Sequence, residues 1–210
     1  MYTKIEKLLE QSARQRDLET KKNSSTSNAS RVCATDTDAE AEEMFSRLRE
    51  KLLHIKLWNE CSNLSSFMLY DKLGDLQQDK FAAVGDFIKI TLHGSGKDDW
   101  VKIIEIYEAR DEIVLTVQPS PDPTDTGDKA AATSHFFTGD STNNFCLLRK
   151  NAKLSFFVIG LNEETNTEET GGVMETIRNT ATANVGRYLG IQTFQWQTFC
   201  DNFFETGKEN

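Results

Sequence analysis

The sequence has little proline and cysteine and no long apolar run, and each of these absences excludes a class of protein. It contains three prolines and four cysteines in 210 residues. Cys33, Cys61, Cys146 and Cys200 stand far apart without a CxxC pair, which argues against a zinc site or dense disulfide framework and predicts buried free thiols. No apolar run could span a bilayer, and the N-terminal residues lack the apolar segment of a secretory signal. We therefore expect a cytoplasmic protein without membrane association.

Positive charge is also scarce, which disfavours nucleic acid as a partner. The chain carries 24 Lys and Arg against 33 Asp and Glu, a net charge of −9. Residues 1–32 have a net charge of +3 and the remaining residues one of −12. Such an acidic body repels phosphate backbones and favours a basic protein as a partner.

No motif of catalysis, phosphate binding or metal binding is present. The sequence lacks a GxSxG elbow, an HExxH helix, a phosphate-binding GxxxxGK[ST] loop and an EF-hand. Among three histidines, only His135 has suggestive neighbours, Phe136 and Phe137, in the long connection over residues 120–143. A general base needs an orienting group, for which Asp122 or Asp140 could serve, but packing or capping is the simpler role for His135. We therefore predict no catalytic residue, metal site or cofactor, and a non-enzymatic role is favoured.

The segment from Gly85 to Gly160 shows the alternation and turn spacing of an antiparallel sheet. Residues 87–92, 100–108 and 113–117 predict three strands of a meander. Two adjacent apolar residues, Ile103 and Ile104, interrupt the alternation and predict a β-bulge. Residues 144–149 and 153–160 predict two more strands, and their nearly continuous apolar character indicates cover on both faces. Ser65–Tyr70 is a predicted edge strand.

Helical patterns flank this sheet. Residues 2–19 have a short apolar stripe, whereas the Ser- and Asn-rich stretch after them has too few apolar residues to form a core. Thr37 and Glu40 form a capping box that starts a second helix. Its apolar stripe is formed by Ala41, Met44, Phe45, Leu48, Leu52 and Ile55. Residues 177–189 and 196–203 predict two C-terminal helices.

Together these patterns predict one α+β domain. Its sheet is expected to be a curved antiparallel sheet or a partly open barrel of about six strands, packed by one preceding helix and two C-terminal helices. We expect an N-terminal helix over residues 1–20 that can detach, a flexible linker over 21–36, the domain over 37–205 and a disordered tail over 206–210.

The predicted order of elements resembles helix-grip ligand-binding folds of the START type. Gly85 and Asp86 before a strand also resemble the start of small SH3-like barrels. No sequence motif carries either resemblance, so we assign no family.

Two functions remain open. The first is an interaction or adaptor protein that uses its acidic surface and N-terminal helix. The alternative is a binder of a small molecule or lipid, with an apolar cavity between the sheet and the C-terminal helices. The candidate residues for binding a ligand or partner are His135, Phe136, Phe137, Trp196 and Phe199.

Overall fold

A computed structural model describes residues 3–19, 28–93, 98–125, 140–162 and 194–205. The helices are α1 (Lys4–Glu19), α2 (Asp38–Leu53), a 3-10 helix (Ile55–Glu60) and α3 over residues 194–203. The strands are β1 (Asn28–Ala34), β2 (Ser65–Tyr70), β3 (Leu76–Gln77), β4 (Phe87–Leu92), β5 (Asp98–Ala109), β6 (Glu112–Pro119), β7 (Thr142–Lys150) and β8 (Lys153–Leu161). They form an open antiparallel sheet in the order β1-β8-β7-β6-β5-β4-β2-β3. The α+β class is confirmed, but the described part of the chain has eight strands, two more than predicted.

The centre of the sheet follows the sequence pattern closely. Strands β4, β5 and β6 form the predicted meander, and the pairing of β5 with β6 shifts register between Ile103 and Glu105. The predicted β-bulge is therefore confirmed. Strands β7 and β8 form a tight hairpin in which Asn151 has a φ of 55°, a left-handed conformation that asparagine tolerates.

Strand β1 corrects the predicted linker. Residues 28–34 pair with β8 from the register Asn28 with Ile159 to Ala34 with Lys153, so this part of residues 21–36 belongs to the sheet. Only Ala29 is fully buried in β1. The strand is held by its ladder of backbone hydrogen bonds with β8. Because its sequence is mostly polar, it shows no apolar alternation from which a strand could be predicted. Residues 21–27 of the predicted linker lie outside the described residues.

The predicted cap of α2 is confirmed. The Thr37 hydroxyl accepts a hydrogen bond from the Glu40 N–H at 3.2 Å, and the Glu40 carboxylate accepts from the Asp36 N–H at 3.1 Å. The helix ends at Leu53, earlier than predicted, and the chain continues as the 3-10 helix. The indole N–H of Trp58 in the 3-10 helix donates a hydrogen bond to the Leu52 carbonyl of α2 at 3.0 Å, which fixes the junction of these two helices.

One face of the sheet, called the inner face, packs against α2, the 3-10 helix and α3. Its centre is a group of buried aromatic rings: Trp58, Phe67, Phe145, Phe156, Trp196, Phe199 and Phe203. Lys51 of α2 is buried with them, and its ammonium donates to the Glu205 carbonyl at 2.9 Å just beyond α3. A cation at the C-terminal end of a helix is stabilised by the helix dipole. Lys51 therefore helps to anchor α3.

The opposite, outer face carries α1, which corrects the prediction that this helix can detach. Ile5 is fully buried in a second apolar cluster with Val114, Cys146, Ile159 and Leu161. The Ile5 N–H donates to the buried Glu112 carboxylate at 2.8 Å, and Lys4 forms an ion pair with Glu105. The helix thus packs on the sheet, and strands β7 and β8 are covered on both faces as predicted.

The C-terminal part of the fold is described only from residue 194. Helix α3 lies where the last of the two predicted C-terminal helices was expected, whereas the other, over residues 177–189, falls outside the described residues, as does the predicted tail over 206–210. Within the described ranges, no helix is both long enough and apolar enough to cross a bilayer. The cytoplasmic location stays a prediction.

Candidate functional site

Exposed apolar side chains concentrate in one short segment around strand β3. The described residues include eight exposed large apolar side chains, and five of them lie between residues 68 and 84. These five define the 68–84 patch: Met68, Leu73, Leu76, Phe81 and Val84. Met68 and Leu76 among them line one surface cleft, and exposed apolar side chains that lie together often mark sites of interaction with other proteins. The patch is therefore the principal candidate site.

The turn between β2 and β3 holds Leu73 of this patch in the solvent. The Asp71 carboxylate accepts hydrogen bonds from the Leu73 N–H at 2.9 Å and from the Asp75 N–H at 3.0 Å. Gly74 has a φ of 85°, and a Cβ atom there would lie 2.9 Å from the Pro123 carbonyl oxygen. Only glycine fits both the left-handed conformation and this close approach. Local chemistry thus fixes the turn, while Leu73 stays 76% exposed.

A shallow cleft of about 210 Å³ adjoins the patch, between the 3-10 helix and the β2–β3 hairpin. Met68 and Leu76 of the patch contribute to its wall. The other lining residues are Lys56, Asn59, Phe67, Leu69, Gln77 and Gln78. Small-molecule pockets usually measure about 300–1,000 Å³, so this cleft suits a single inserted side chain better.

Beside this cleft, side chains form hydrogen bonds with the backbone groups of β2 on the side of the strand that faces away from β4. The Asn59 carboxamide accepts from the Phe67 N–H at 2.9 Å and donates to the Phe67 carbonyl at 3.0 Å. The Ser62 hydroxyl accepts from the Ser65 N–H at 3.1 Å. An extended peptide needs free backbone groups to add to a sheet, and at Ser65 and Phe67 of β2 such groups are already hydrogen-bonded. A partner at this site would therefore bind through side chains.

Two carboxylates near the patch have pKa values shifted in opposite directions. Hydrogen bonds from the Asp75 and Leu73 N–H groups lower the pKa of Asp71, because they stabilise its charged form. Burial raises the pKa of Asp86, partly against a hydrogen bond from the Ala83 N–H. The formed turn thus favours the charged form of Asp71.

The turn should contribute less to stability in acid. Because the pKa of Asp71 is lower in the folded state, its contribution is present above the unfolded value of about 3.9 and is lost as pH falls through the folded value. We therefore expect urea unfolding to show a difference in the free energy of unfolding between the wild type and Asp71→Ala at pH 7, and a smaller difference at pH 3. Asp79→Ala, which removes an exposed carboxylate paired with Lys56, is the control. A gap of equal size at both pH values would contradict the role of Asp71.

The cysteines give no sign of a reactive site. All four are free thiols, and Cys61, Cys146 and Cys200 are buried as predicted, whereas Cys33 is partly exposed on the edge strand β1. Burial raises the pKa of Cys61 to about 11 and that of Cys200 to about 12, and it also raises the pKa of Cys146. Across the described ranges, no three His, Cys, Asp or Glu side chains are placed to hold a metal ion.

The candidate residues from the sequence do not belong to the patch. Trp196 and Phe199 are buried in the inner layer, where their rings lie 5.3 Å and 6.0 Å from that of Phe145. His135, Phe136 and Phe137 lie outside the described residues. The sequence analysis did not predict the patch.

Comparison with known proteins gives a shared fold without a function. No protein-family profile and no curated protein matches the chain. The hypothetical protein jhp0584 from Helicobacter pylori is similar in structure, with a TM-score of 0.50 and 8% identity over 86% of each chain. MLL2253 from Mesorhizobium loti has a TM-score of 0.45 and 12% identity over 86% of this chain and 94% of its own. For the extracellular domain of PknH from Mycobacterium tuberculosis the TM-score is 0.38, with 8% identity over 85% of this chain and 56% of that one.

The similarity to jhp0584 supports the arrangement of an open antiparallel sheet with helices on it. At this level of identity it bears on the fold alone. Any function has to be argued from this chain's own surface and interior.

Proposed function

We propose that this protein is a non-enzymatic interaction protein whose partner binds to the 68–84 patch and inserts a side chain into the adjacent cleft. The observation that carries this proposal is that, among the described residues, five of the eight exposed large apolar side chains lie in this one segment. Anchor side chains that fill small pockets commonly dominate the affinity of protein interfaces.

Charge around the patch supports the choice of a basic partner. Within the segment Asp71, Asp75 and Asp79 stand against Lys72 and Lys80, a net charge of −1, and the chain outside residues 1–32 carries a net charge of −12. Complementary charges at the rim of an interface speed association and select partners, while the apolar centre supplies most of the affinity. We therefore propose a partner with an apolar anchor surrounded by Lys or Arg.

Helix α1 has a different part in this proposal than the sequence suggested. Because its apolar side packs on the outer face, it is assigned no tethering role. It instead covers strands β6, β7 and β8 on the outer face.

The test is a comparison of capture by matched variants. We expect Leu73→Ser combined with Phe81→Ser to reduce capture of a specific partner by at least about thirtyfold, because loss of hot-spot residues typically costs about 2 kcal/mol or more. Val32→Ser combined with Phe194→Ser is the control, since these two side chains are equally apolar and 56% and 63% exposed. Both double variants should keep the wild-type unfolding curve.

The dependence of binding on salt tests the charged rim of the proposed interface apart from its apolar centre. Capture should weaken as ionic strength rises from about 0.1 M to about 1 M, where the Debye length falls from about 10 Å to about 3 Å. A partner retained equally by the patch variant and the control variant would refute the proposed site. Partner binding that needs the patch but is insensitive to salt would refute the basic rim.

A further inference from the structure

The two edges of the sheet differ in length. At one edge, β3 has only two residues and offers few backbone groups to another strand. At the other edge, β1 has seven residues, contains no proline and keeps an unbroken register with β8. Natural proteins usually protect a long edge strand with charges, proline, a bulge or a covering helix, because its outward backbone groups can pair with another chain. The β1 edge is therefore a candidate interaction surface.

The register of β1 with β8 decides which of its backbone groups point outward. The Thr35 N–H donates to the Ala152 carbonyl at 2.9 Å, and this pair continues the β1–β8 register. Because hydrogen-bonded positions alternate along an antiparallel pair, the odd-numbered residues of β1 bond to β8 and the even-numbered ones point away from it. Helix α3 agrees with this direction, since its Gln197 side chain donates to the Ser30 carbonyl at 3.0 Å.

The first half of β1 is engaged by the neighbouring helices. Helix α1 hydrogen-bonds to the Asn28 side chain, and α3 hydrogen-bonds to the Ser30 carbonyl and forms an ion pair with Arg31. In the second half, Val32 and Ala34 are exposed, Val32 to 56%. Among the described residues, no hydrogen bond to the outward backbone groups of Val32 or to the Ala34 N–H is formed. Residues 32–34 thus form an accessible edge.

We propose that residues 32–34 pair antiparallel with the same residues of a second copy of this chain, so that the two sheets join across a two-fold axis at Cys33. An antiparallel strand is complementary to itself about such an axis, and two-fold dimers are the commonest oligomers. In this register Val32 of each copy exchanges both outward hydrogen bonds with Ala34 of the other. The surface lies at the opposite edge of the sheet from the β2–β3 hairpin and is independent of the 68–84 patch.

Charge and hydrogen bonding favour this register over its two neighbours. An axis at Arg31 would set two guanidinium groups directly opposite each other, and like charges in such a pair are destabilising. An axis at Val32 would use the Ser30 carbonyl, which already accepts from α3. With the axis at Cys33, the two Arg31 residues are about 13 Å apart along the strands. Each is then opposite the residue that precedes Asp36 of the other copy, an exposed carboxylate.

The association is expected to be reversible. A pair of edge strands alone buries less than the roughly 1,200–2,000 Å² of a typical stable interface, so a dimer should form only at high protein concentration. Sedimentation velocity with a reducing agent present, from about 10 μM to about 1 mM protein, should show a monomer–dimer equilibrium.

Val32→Pro tests the backbone contact. Because the Val32 N–H points away from β8, proline removes a donor to the second copy and none to β8. Self-association should weaken at least about tenfold. Val32→Thr is the matched control, since it keeps the N–H and the β-branched shape, and it should associate like the wild type. Ala34→Pro removes the other outward donor and should act like Val32→Pro, which keeps the test decisive if one of the two does not fold.

Disulfide formation reports the register. The two Cys33 residues meet as a non-hydrogen-bonded pair with Cα atoms about 4.5 Å apart, within the range of about 4.4–6.8 Å for disulfides. In its own chain the Cys33 thiol makes a weak contact with the Ala34 carbonyl at 3.9 Å, and the other three cysteines are buried. Diamide, which takes up the two electrons and two protons of the thiols, should form a disulfide dimer that Cys33→Ser abolishes. Val32→Pro should slow this reaction about tenfold.

The patch variant, Leu73→Ser combined with Phe81→Ser, should leave self-association unchanged, because it alters the other end of the sheet. A chain that stays monomeric over the whole concentration range would overturn the proposal. So would a dimer that persists in folded Val32→Pro or Ala34→Pro, or one that is lost in the patch variant. Cys33→Ser combined with Val32→Cys should crosslink more slowly than the wild type, and faster crosslinking would refute the axis at Cys33.

Discussion

Phe199→Ala is expected to lower the free energy of unfolding by about 3–5 kcal/mol, the usual cost of removing a fully buried phenylalanine ring. Phe199 is 0% exposed, and its ring lies within 6.0 Å of six others. Those rings belong to Trp58, Phe67, Phe145, Phe156, Trp196 and Phe203. Since they come from the sheet, the 3-10 helix and α3, one cavity would loosen all three at once.

The measurement is urea unfolding followed by both far-ultraviolet circular dichroism and tryptophan fluorescence. The two signals should move together to lower urea, because the inner layer unfolds as one unit. Phe194→Ala is the matched control, since this phenylalanine lies on the same helix but is 63% exposed, and its loss should cost less than about 0.5 kcal/mol. If Phe199→Ala cost no more than Phe194→Ala, the inner layer would not depend on the packing described.

The elements that sequence predicted well are those whose signal is local. The capping pair Thr37 and Glu40 is three residues apart, and the bulge at Ile103 is visible as a break in alternation within one strand. The hairpin of β7 and β8 has its turn residue Asn151 between two apolar runs. In each case neighbouring residues decide the conformation, so a single sequence is enough to predict it.

The missed elements depend on contacts between distant residues. Strand β1 is polar and forms because β8, more than 100 residues later, offers it a backbone ladder. Strand β3 has only two residues, too few for any alternation to be visible. The docking of α1 brings Ile5 to Glu112, 107 residues later in the chain, and this contact cannot be predicted from the sequence alone. Such long-range pairing overrides local propensity.

The candidate sites show the same division. Aromatic residues at helical spacing predicted α3. Their spacing did not show whether Trp196 lines a ligand cavity or packs in the core. In the folded chain its ring is buried against those of Phe145 and Phe199. The 68–84 patch was missed because exposure is a property of the folded chain: Phe67 and Leu69 are buried while Met68 between them is exposed.

Glu112→Ala is expected to cost about 2–3 kcal/mol and to release α1 from the outer face. The Glu112 carboxylate is buried and accepts the Ile5 N–H at 2.8 Å in the first turn of α1. Its removal leaves a buried N–H without a partner and takes a negative charge from the N-terminal end of the helix, where the helix dipole favours one. Glu112→Gln keeps an acceptor oxygen and should cost about 1 kcal/mol.

Hydrogen exchange distinguishes release of α1 from loss of the whole fold. In Glu112→Ala, the amides of residues 8–12 should exchange about thirtyfold faster than in the wild type, while those of β7 should change less. Glu10→Ala on the exposed side of α1 is the control, because it removes a carboxylate without touching the sheet. Equal costs for Glu112→Ala and Glu112→Gln, with unchanged exchange in α1, would mean that the apolar contacts of Ile5 hold the helix without the carboxylate.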